Sequence, residues 1–200
     1  MIRLTRPLIG ASAPTRLDGG SVFLRSPQPN DWASWAEIRE ESRDYLVPWE
    51  PAWPTDALTE AAYLRRIRRL ATEWKTDEGY SFHVFRQDTG QLVGGIGFTQ
   101  VRRGVAQTGT LGYWIGEPFQ RRGFTTEAVR LVADFVFNKL NLHRIEAACL
   151  PENLPSQRVL EKARFMREGY ARLYLQIAGV WRDHLTFALL KEDMDLPGDR

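Results

Sequence analysis

The feature that most constrains this chain lies between residues 108 and 139, where the hydrophobic pattern changes period once. "TGTLGYWIG" (108–116) reads as a strand, and 123–139 carries apolar residues at 124, 128, 131, 132, 135 and 136. That second spacing makes a wide helical stripe of the kind laid on a sheet. The handover is "EPFQRRG", so Gln120, Arg121, Arg122 and Gly123 sit where a strand passes into a helix. A charged surface loop is one reading. The sharper one is an anion site, because a helix start offers unpaired N–H groups and positive potential. A phosphate cradle needs several N–H groups pointing one way with little side chain in the path. Gly123 allows that approach, Arg121 and Arg122 add charge, and Glu127 suits the helix dipole one turn in. No Gly-Lys-Ser/Thr follows, so this is not a P-loop. "GGIG" (94–97) lies inside a strand and opens no helix, so it is not a dinucleotide fingerprint. Those glycines read as structural, permitting close backbone packing.

The remaining elements follow from periodicity and turn residues. "SVFLRSP" (21–27) is a first strand. "PNDWASWAEIREES" is a helix capped by Asn30 or Asp31, with Trp32, Trp35 and Ile38 on one face. "VPWEPAWPTD" (47–56) holds three prolines and forms no regular element. Helix 59–75 places Tyr63, Ile67, Leu70 and Trp74 on its stripe. Strands 80–87 and 92–101 form a hairpin, and 108–116 extends it. Strand 143–150, helix 154–163 and two strands joined near Ala178 and Gly179 complete the order. Such an order gives a mixed sheet with helices on its faces. Residues 1–20 read as a flexible tail, 21–191 as a single domain and 192–200 as a C-terminal tail.

Composition narrows the class. At 200 residues, with 43% hydrophobic residues and seven Trp, the chain can bury one sizeable core. No apolar run approaches membrane-spanning length, and the N-terminus lacks the apolar core of a signal peptide. Cys149 is the single cysteine, which excludes an internal disulfide and a multi-Cys zinc site, so a cytoplasmic location is expected. His83 and His143 have no partners at ligand spacing, and no metal is expected. Only four of the 27 basic residues are lysines, and arginine suits planar phosphate and carboxylate recognition. The net charge of +2 permits a ribonucleoprotein partner without requiring nucleic acid.

At "LGYWIGEPFQRRGFTTEAV" the sequence resembles the acetyl-CoA-binding segment of the GNAT acetyltransferases, a strand followed by Gln/Arg-x-x-Gly-x-Gly/Ala and a helix. "PENLPSQRVLEKARF" resembles that family's helix with Asn153 and Ser156 at the characteristic positions. The likeness runs from about residue 15 to the C-terminus. "YLVPWEP", "EGYARLYL" and "GVWRDHLTFAL" resemble the branch that acetylates the N-terminal alanine of a small-subunit ribosomal protein. The resemblance implies an α/β (mixed α+β) GNAT-like fold. Its sheet would be mostly antiparallel, splayed between strands 108–116 and 143–150, with helices on both faces. It implies acetyl-CoA as co-substrate, held by Tyr113, Trp114, Ile115, Gln120, Arg121, Arg122, Gly123, Phe124, Thr125, Thr126, Asn153 and Ser156. Pyrophosphate would meet the N–H groups at 121–126, and pantetheine would add to the sheet like a strand.

The resemblance also places Ser156 near the thioester sulfur, as proton donor to the leaving thiolate. Leu160 stands where other members carry a tyrosine for that work. A backbone N–H at Trp114 or Ile115 is the candidate oxyanion donor. Glu50 in "PWEP" is the first candidate for general base, with Asp183 and His184 behind it. Thr125 replaces a Gly/Ala, Arg164 stands at a glycine's place after the helix, and Leu173 stands where related enzymes often carry an acid. A solvated loop carboxylate at Glu50, a plain N-cap at Asn153 and a backbone-bonding serine at 156 are the structural alternatives. Trp32, Trp35, Trp49 and Trp53 are either core packing or an aromatic wall for a peptide N-terminus. The expected acceptor is the N-terminal alanine or serine of a ribosomal or other protein, with a small-subunit ribosomal protein as the candidate partner. A small-molecule amine acetyltransferase and a non-catalytic, ribosome-associated acetyl-CoA-binding factor are the other readings.

Overall fold

A computed structural model describes residues 15–194. Strands β1 (Arg16–Asp18) and β2 (Val22–Arg25) lead into helices α1 (Trp32–Glu41), α2 (Arg43–Leu46) and α3 (Glu60–Thr76). The meander β3 (Gly79–Arg86), β4 (Leu92–Arg102) and β5 (Thr108–Ile115) follows. Next come α4 (Phe124–Asp134), β6 (Arg144–Cys149) and α5 (Leu154–Lys162). The hairpin β7 (Met166–Ile177) and β8 (Val180–Leu190) ends the sheet. The eight strands run β1-β2-β3-β4-β5-β6-β8-β7, and only β5 and β6 are parallel neighbours.

Local chemistry sets the helix ends. Thr59 caps α3 by accepting from the Ala62 N–H, and Asp77 ends it in the left-handed region at φ 61°. The stripe residues Tyr63 and Leu70 are buried as expected. Trp74 packs edge-on to Tyr80 and Phe82, whose rings also meet Phe135 from the end of α4. There α4 continues as one wide π turn over Phe135–Lys139. Arg164 takes φ 68°, so the departure from glycine after α5 leaves the left-handed turn in place. One continuous core joins both helical layers to the sheet.

Two boundaries differ from the expected ones. Residues 16–18 were expected in a loose tail but pair with β2, Arg16 opposite Arg25 and Asp18 opposite Phe23. Lys191–Met194 form a 3-10 turn tied back by Asp193, whose carboxylate accepts from the Leu190 N–H at 2.9 Å. The apolar pattern of three residues is too short to announce a strand, and an edge strand needs only one partner. The rest of both expected tails, residues 1–14 and 195–200, lies outside the described residues.

The start of α1 is pinned by a buried ion pair. Asp31 accepts from Arg25 at 2.7 and 2.6 Å and from the Gln28 N–H at 2.8 Å. His83 stands 3.5 Å away, beyond a good hydrogen bond. Burial pushes the Asp31 carboxyl upward, but Arg25, His83 and the Gln28 N–H outweigh it and hold it well below the usual carboxylate range. Asp31→Asn should cost about 3 kcal/mol at pH 7, because it leaves a partly buried Arg25 unpaired. A depressed folded-state pKa gives stability that is complete above the ordinary carboxylate value, about 3.9, and is lost as pH falls below it. Urea titrations should therefore show the wild-type advantage at pH 7 shrinking toward pH 3. An advantage independent of pH would contradict the assignment.

Candidate active site

The site begins where two strands part. β5 and β6 pair over four residues only, from Thr108 opposite Arg144 to Leu111 opposite Ala147. Beyond that point β5 stays with β4 up to Ile115 opposite Gly94, while β6 stays with β8 up to Cys149 opposite Leu185. The edge of β5 from Gly112 to Ile115 therefore faces a gap. Gly116 donates its N–H to Val93 O at 2.8 Å, on the β4 side. Alternation then turns the Trp114 N–H toward β4 and the Tyr113 and Ile115 N–H groups into the gap. Of the two expected oxyanion donors Ile115 faces the opening and Trp114 does not. A Cβ added at Gly112 would meet nothing within 4 Å, so the sheet face beside this edge is open as well.

At the end of that edge lies the loop that was expected to bind an anion. Arg121 and Gly123 both sit in the left-handed region, at φ 60° and 83°, with Arg122 between them. Alternating handedness of this kind turns successive N–H groups into one concavity. Gly123 is the N-cap of α4 and offers no side-chain cap, so the N–H groups of Phe124, Thr125 and Thr126 keep their donors free of an intrahelical or capping partner. A Cβ at Gly123 would also find open space, so glycine serves the backbone angle and the approach rather than packing. Arg121 and Arg122 are exposed, Gln120 half-buried, and the Phe124 ring is buried in the core beneath. Thr125 and Thr126 are half-buried, and the branched Thr125 is accommodated within the first turn of α4. Glu127 turns away from the concavity and accepts from the Gly20 N–H, the Ser21 N–H and the Ser21 hydroxyl.

The far wall of the gap is the start of α5. Asn153 Oδ1 accepts from the Ser156 N–H at 3.1 Å, which is the N-cap bond. Its amide NH2 has no protein partner among the described residues. Both readings of Asn153 can hold at once: the carbonyl caps, and the amide donors remain for a ligand. Ser156 Oγ lies 2.9 Å from the phenol of Tyr113, which reaches across from β5. The same phenol is 3.2 Å from the Ser156 carbonyl. Burial raises the Tyr113 phenol far above its ordinary value, so it stays protonated and available as a donor. Cys149, at the end of β6, is pushed up to about 11 by burial, with the Ser156 hydroxyl acting against that. It is a neutral thiol near pH 7. Tyr113, expected only for its backbone, thus bridges the two sides of the gap through its side chain. No spacing in the sequence signals this, because residues 113 and 156 meet only through the sheet.

Two adjoining cavities open on the other side of β5. One, about 290 Å³, is bounded by Tyr113, Trp114 and Gly112 of β5, by Gly95 and Gly97 of β4, and by α3. The second, about 590 Å³, lies between α1, α3 and the proline-rich loop. Glu50 and Arg66 line both. The glycines once read as purely structural have a split role. At Gly95 a Cβ would strike the Trp114 indole at 2.4 Å, whereas at Gly97 its nearest neighbour is the Ser81 hydroxyl at 3.2 Å, on the cavity floor. Trp35 is core and Trp32 donates to the Leu58 carbonyl. Trp53 is the wall residue, its indole N–H donating to Glu50 at 2.8 Å.

Glu50 is not a solvated loop carboxylate. Arg39 grips its two oxygens at 2.9 and 2.5 Å, and the guanidinium lies 4.2 Å from the Trp53 ring and 4.8 Å from the Trp114 ring. The Glu50 carbonyl also accepts from the Ala178 N–H at 2.9 Å, tying the loop to the β7–β8 turn. Sequence reading missed Arg39, because an ion pair across eleven residues of helix and loop has no periodic signature. Asp183 and His184 line neither cavity. Asp183 accepts from Tyr170 at 2.5 Å and from the Leu173 N–H at 2.7 Å, inside a bulge where Leu173 has φ 46°. His184 is buried with Nδ1 3.0 Å from the Arg182 carbonyl. Among the described residues no group of His, Cys, Asp and Glu could hold a metal, and no helix is long and apolar enough to cross a membrane.

A strand edge without a partner, an amide-lined concavity at its end and a capped helix across the gap define an acyl-CoA-binding transferase architecture. Residues 21–166 match the acetyltransferase (GNAT) domain, and the chain belongs to that family. It is a GNAT-type N-acetyltransferase that uses acetyl-CoA. It is 37% identical over 88% of its length to the probable N-acetyltransferase YjcK of Bacillus subtilis, covering 98% of that protein. It is 31% identical over 89% of its length to the [ribosomal protein uS5]-alanine N-acetyltransferase of Escherichia coli, covering 92% of it. Mycobacterium smegmatis RimJ, solved in complex with CoA-disulfide, superimposes with a TM-score of 0.83 at 32% identity, with 92% of this chain and 88% of that one covered.

Gly123→Asp should lower CoA affinity by more than tenfold, since it puts a carboxylate at the mouth of the concavity. The open space around Gly123 means no clash, and the left-handed angle costs only about 1 kcal/mol. Isothermal titration of the folded variant measures this. Unchanged affinity would remove the anion role from the loop.

Proposed function

We propose that this enzyme acetylates the α-amine of a protein N-terminus, with alanine or serine as the first residue and a small-subunit ribosomal protein as the acceptor class. The observation that carries this reading is the state of the acceptor cavities. Every carboxylate lining them is already matched by an arginine: Glu50 by Arg39, Asp56 by Arg65 and Glu73 by Arg69. A polyamine or other polycation would find no free anion there. Nor does the site offer an uncommitted base for a lysine amine, whose pKa lies near about 10.4. An α-amine, near about 7.7–8.0, arrives substantially neutral. The names of the Escherichia coli relative and of the Mycobacterium smegmatis neighbour support the same acceptor class.

In this reading pyrophosphate sits on Gln120 to Thr126, with Arg121 and Arg122 beside it. Pantetheine lies along Tyr113 to Ile115 and takes a hydrogen bond from the Asn153 amide. The neutral amine attacks the thioester carbonyl from the cavity side, and the Ile115 or Tyr113 N–H stabilises the oxyanion. Attack makes the nitrogen cationic and strongly acidic, so even a carboxylate held by arginine suffices to take its proton, and Glu50 is that acceptor. Collapse of the adduct breaks the C–S bond. Ser156, oriented by Tyr113, donates a hydrogen bond to the leaving thiolate and relays a proton to it, taking one back from solvent as it does so. The departures from the family pattern at Thr125 and Leu173 leave this scheme intact.

Ser156→Ala should lower kcat about 10²-fold, typical of a positioned proton donor, with a smaller change in KM for acetyl-CoA. A mutant with wild-type kcat would hand that proton to water. The acceptor class is tested by kcat/KM for peptides beginning with Ala, Ser or Leu, for an acetyl-blocked peptide with one internal lysine, and for spermidine. The Ala and Ser peptides should be fastest, with Leu slower by about 1–3 kcal/mol in ΔΔG‡. Faster turnover of spermidine or of the blocked peptide would overturn the assignment.

A further inference from the structure

The two acceptor cavities are lined by four arginines and three carboxylates, and three of those arginines hold the three carboxylates. Arg66 is left over. Among the described residues it makes no hydrogen bond or ion pair, and its one close ring is Trp35, 5.7 Å from the guanidinium carbon. It is exposed by surface area, yet it lines both cavities and so stands at their junction. The smaller cavity continues to Tyr113 and Trp114, where the gap between β5 and β6 begins. The larger is walled by Trp35, Arg39 and Trp53. Behind that wall Trp35 Nε1 and Arg39 Nε are buried without an acceptor among the described residues.

We infer that Arg66 is a specificity residue that recognises a carboxylate on the acceptor close to the amine that is acetylated. This rests on the reading of the cavities as the acceptor side. In a peptide acceptor the carboxylate is an Asp or Glu side chain at the second or third residue, since successive side chains of an extended segment face opposite walls. In a free amino acid it is the α-carboxylate. The planar guanidinium suits a carboxylate of either origin, through two parallel N–H···O bonds. A lysine at the same place in the acceptor would bring a second cation beside Arg66.

The test uses the full chain with acetyl-CoA and peptides that start with Ala and carry Glu, Gln or Lys at the second residue, with a parallel set varied at the third. Free alanine and alaninamide form a separate pair. At low ionic strength the Glu peptide of one set should exceed its Gln counterpart about tenfold in kcat/KM, the scale of one charge-assisted hydrogen bond. The ratio should fall as salt is added. Arg66→Gln should level the two peptides, and Arg66→Glu should move the preference to Lys. Thermal melting confirms that both variants fold. Equal rates for Glu and Gln peptides in the wild type, or a Glu preference that survives Arg66→Gln, would overturn the inference while leaving N-terminal acetylation standing. If peptides are inert but alanine exceeds alaninamide in an Arg66-dependent way, the carboxylate site holds and the protein-N-terminus reading falls. If peptides are inert and alanine shows no preference over alaninamide, both readings fall.

Discussion

The whole site depends on a hydrogen-bond ladder that stops early. Two parallel strands share four residues and then diverge, each held on its outer side by an antiparallel partner. Each strand is fixed by β4 or β8, so the inner edges can remain unpaired without the sheet closing on itself. An interior strand edge is a row of directed donors and acceptors that normally attracts another chain. Here that capacity is turned inward, toward a slot bounded by α5 and floored at its root by the contact between Tyr113 and Ser156. The opening therefore has backbone chemistry along one side and a hydroxyl and amide on the other, before any charged residue is considered.

How much of this could be read from the sequence divides along the same line. The cofactor side is contiguous: strand, left-handed loop and helix lie within 108–134, and their pattern of alternation, glycine and stripe is visible in order. The end of α5 was legible too, including the unusual Arg164, because a helix followed by a tight turn has local rules. The proposed acceptor side is assembled from α1, the proline-rich loop, α3 and the sheet floor, and its decisive pairs are non-local. Arg39 with Glu50 and Tyr113 with Ser156 leave no trace in periodicity. The loop was read as irregular throughout, but Val47–Trp49 form a 3-10 turn that Pro48 suits near its start, and the Glu50 carboxylate was taken as a candidate base without its clamp. The first strand was missed because three residues carry too little pattern, and its partner supplies the order that they lack.

Charge in the cavities follows a simple economy of pairing. Arginine dominates the basic residues of this chain, and its fork geometry lets one side chain occupy a whole carboxylate. Arg39 does so while 4.2 Å from the Trp53 ring and 4.8 Å from the Trp114 ring, which fixes the wall rather than supplying free charge. The aromatic and ionic parts of the wall are therefore one structure. Removing either indole would loosen the guanidinium that holds Glu50, and with it the link from the loop through the Ala178 N–H to the β7–β8 turn.

The first turn of α4 carries an acid at the very place where the helix offers its positive end. Left free, Glu127 would add negative potential beside a phosphate site. Its oxygens are instead occupied by the Gly20 and Ser21 amides and the Ser21 hydroxyl, more than a hundred residues away in sequence. Gly19 packs so closely on this carboxylate that an added Cβ would lie 2.4 Å from it. The turn between β1 and β2 thus holds this carboxylate with three donors of its own. If the loop binds phosphate as proposed, a chain shortened to begin beyond residue 21 would keep every residue of the loop but leave the Glu127 carboxylate without these donors beside it, and phosphate binding would weaken.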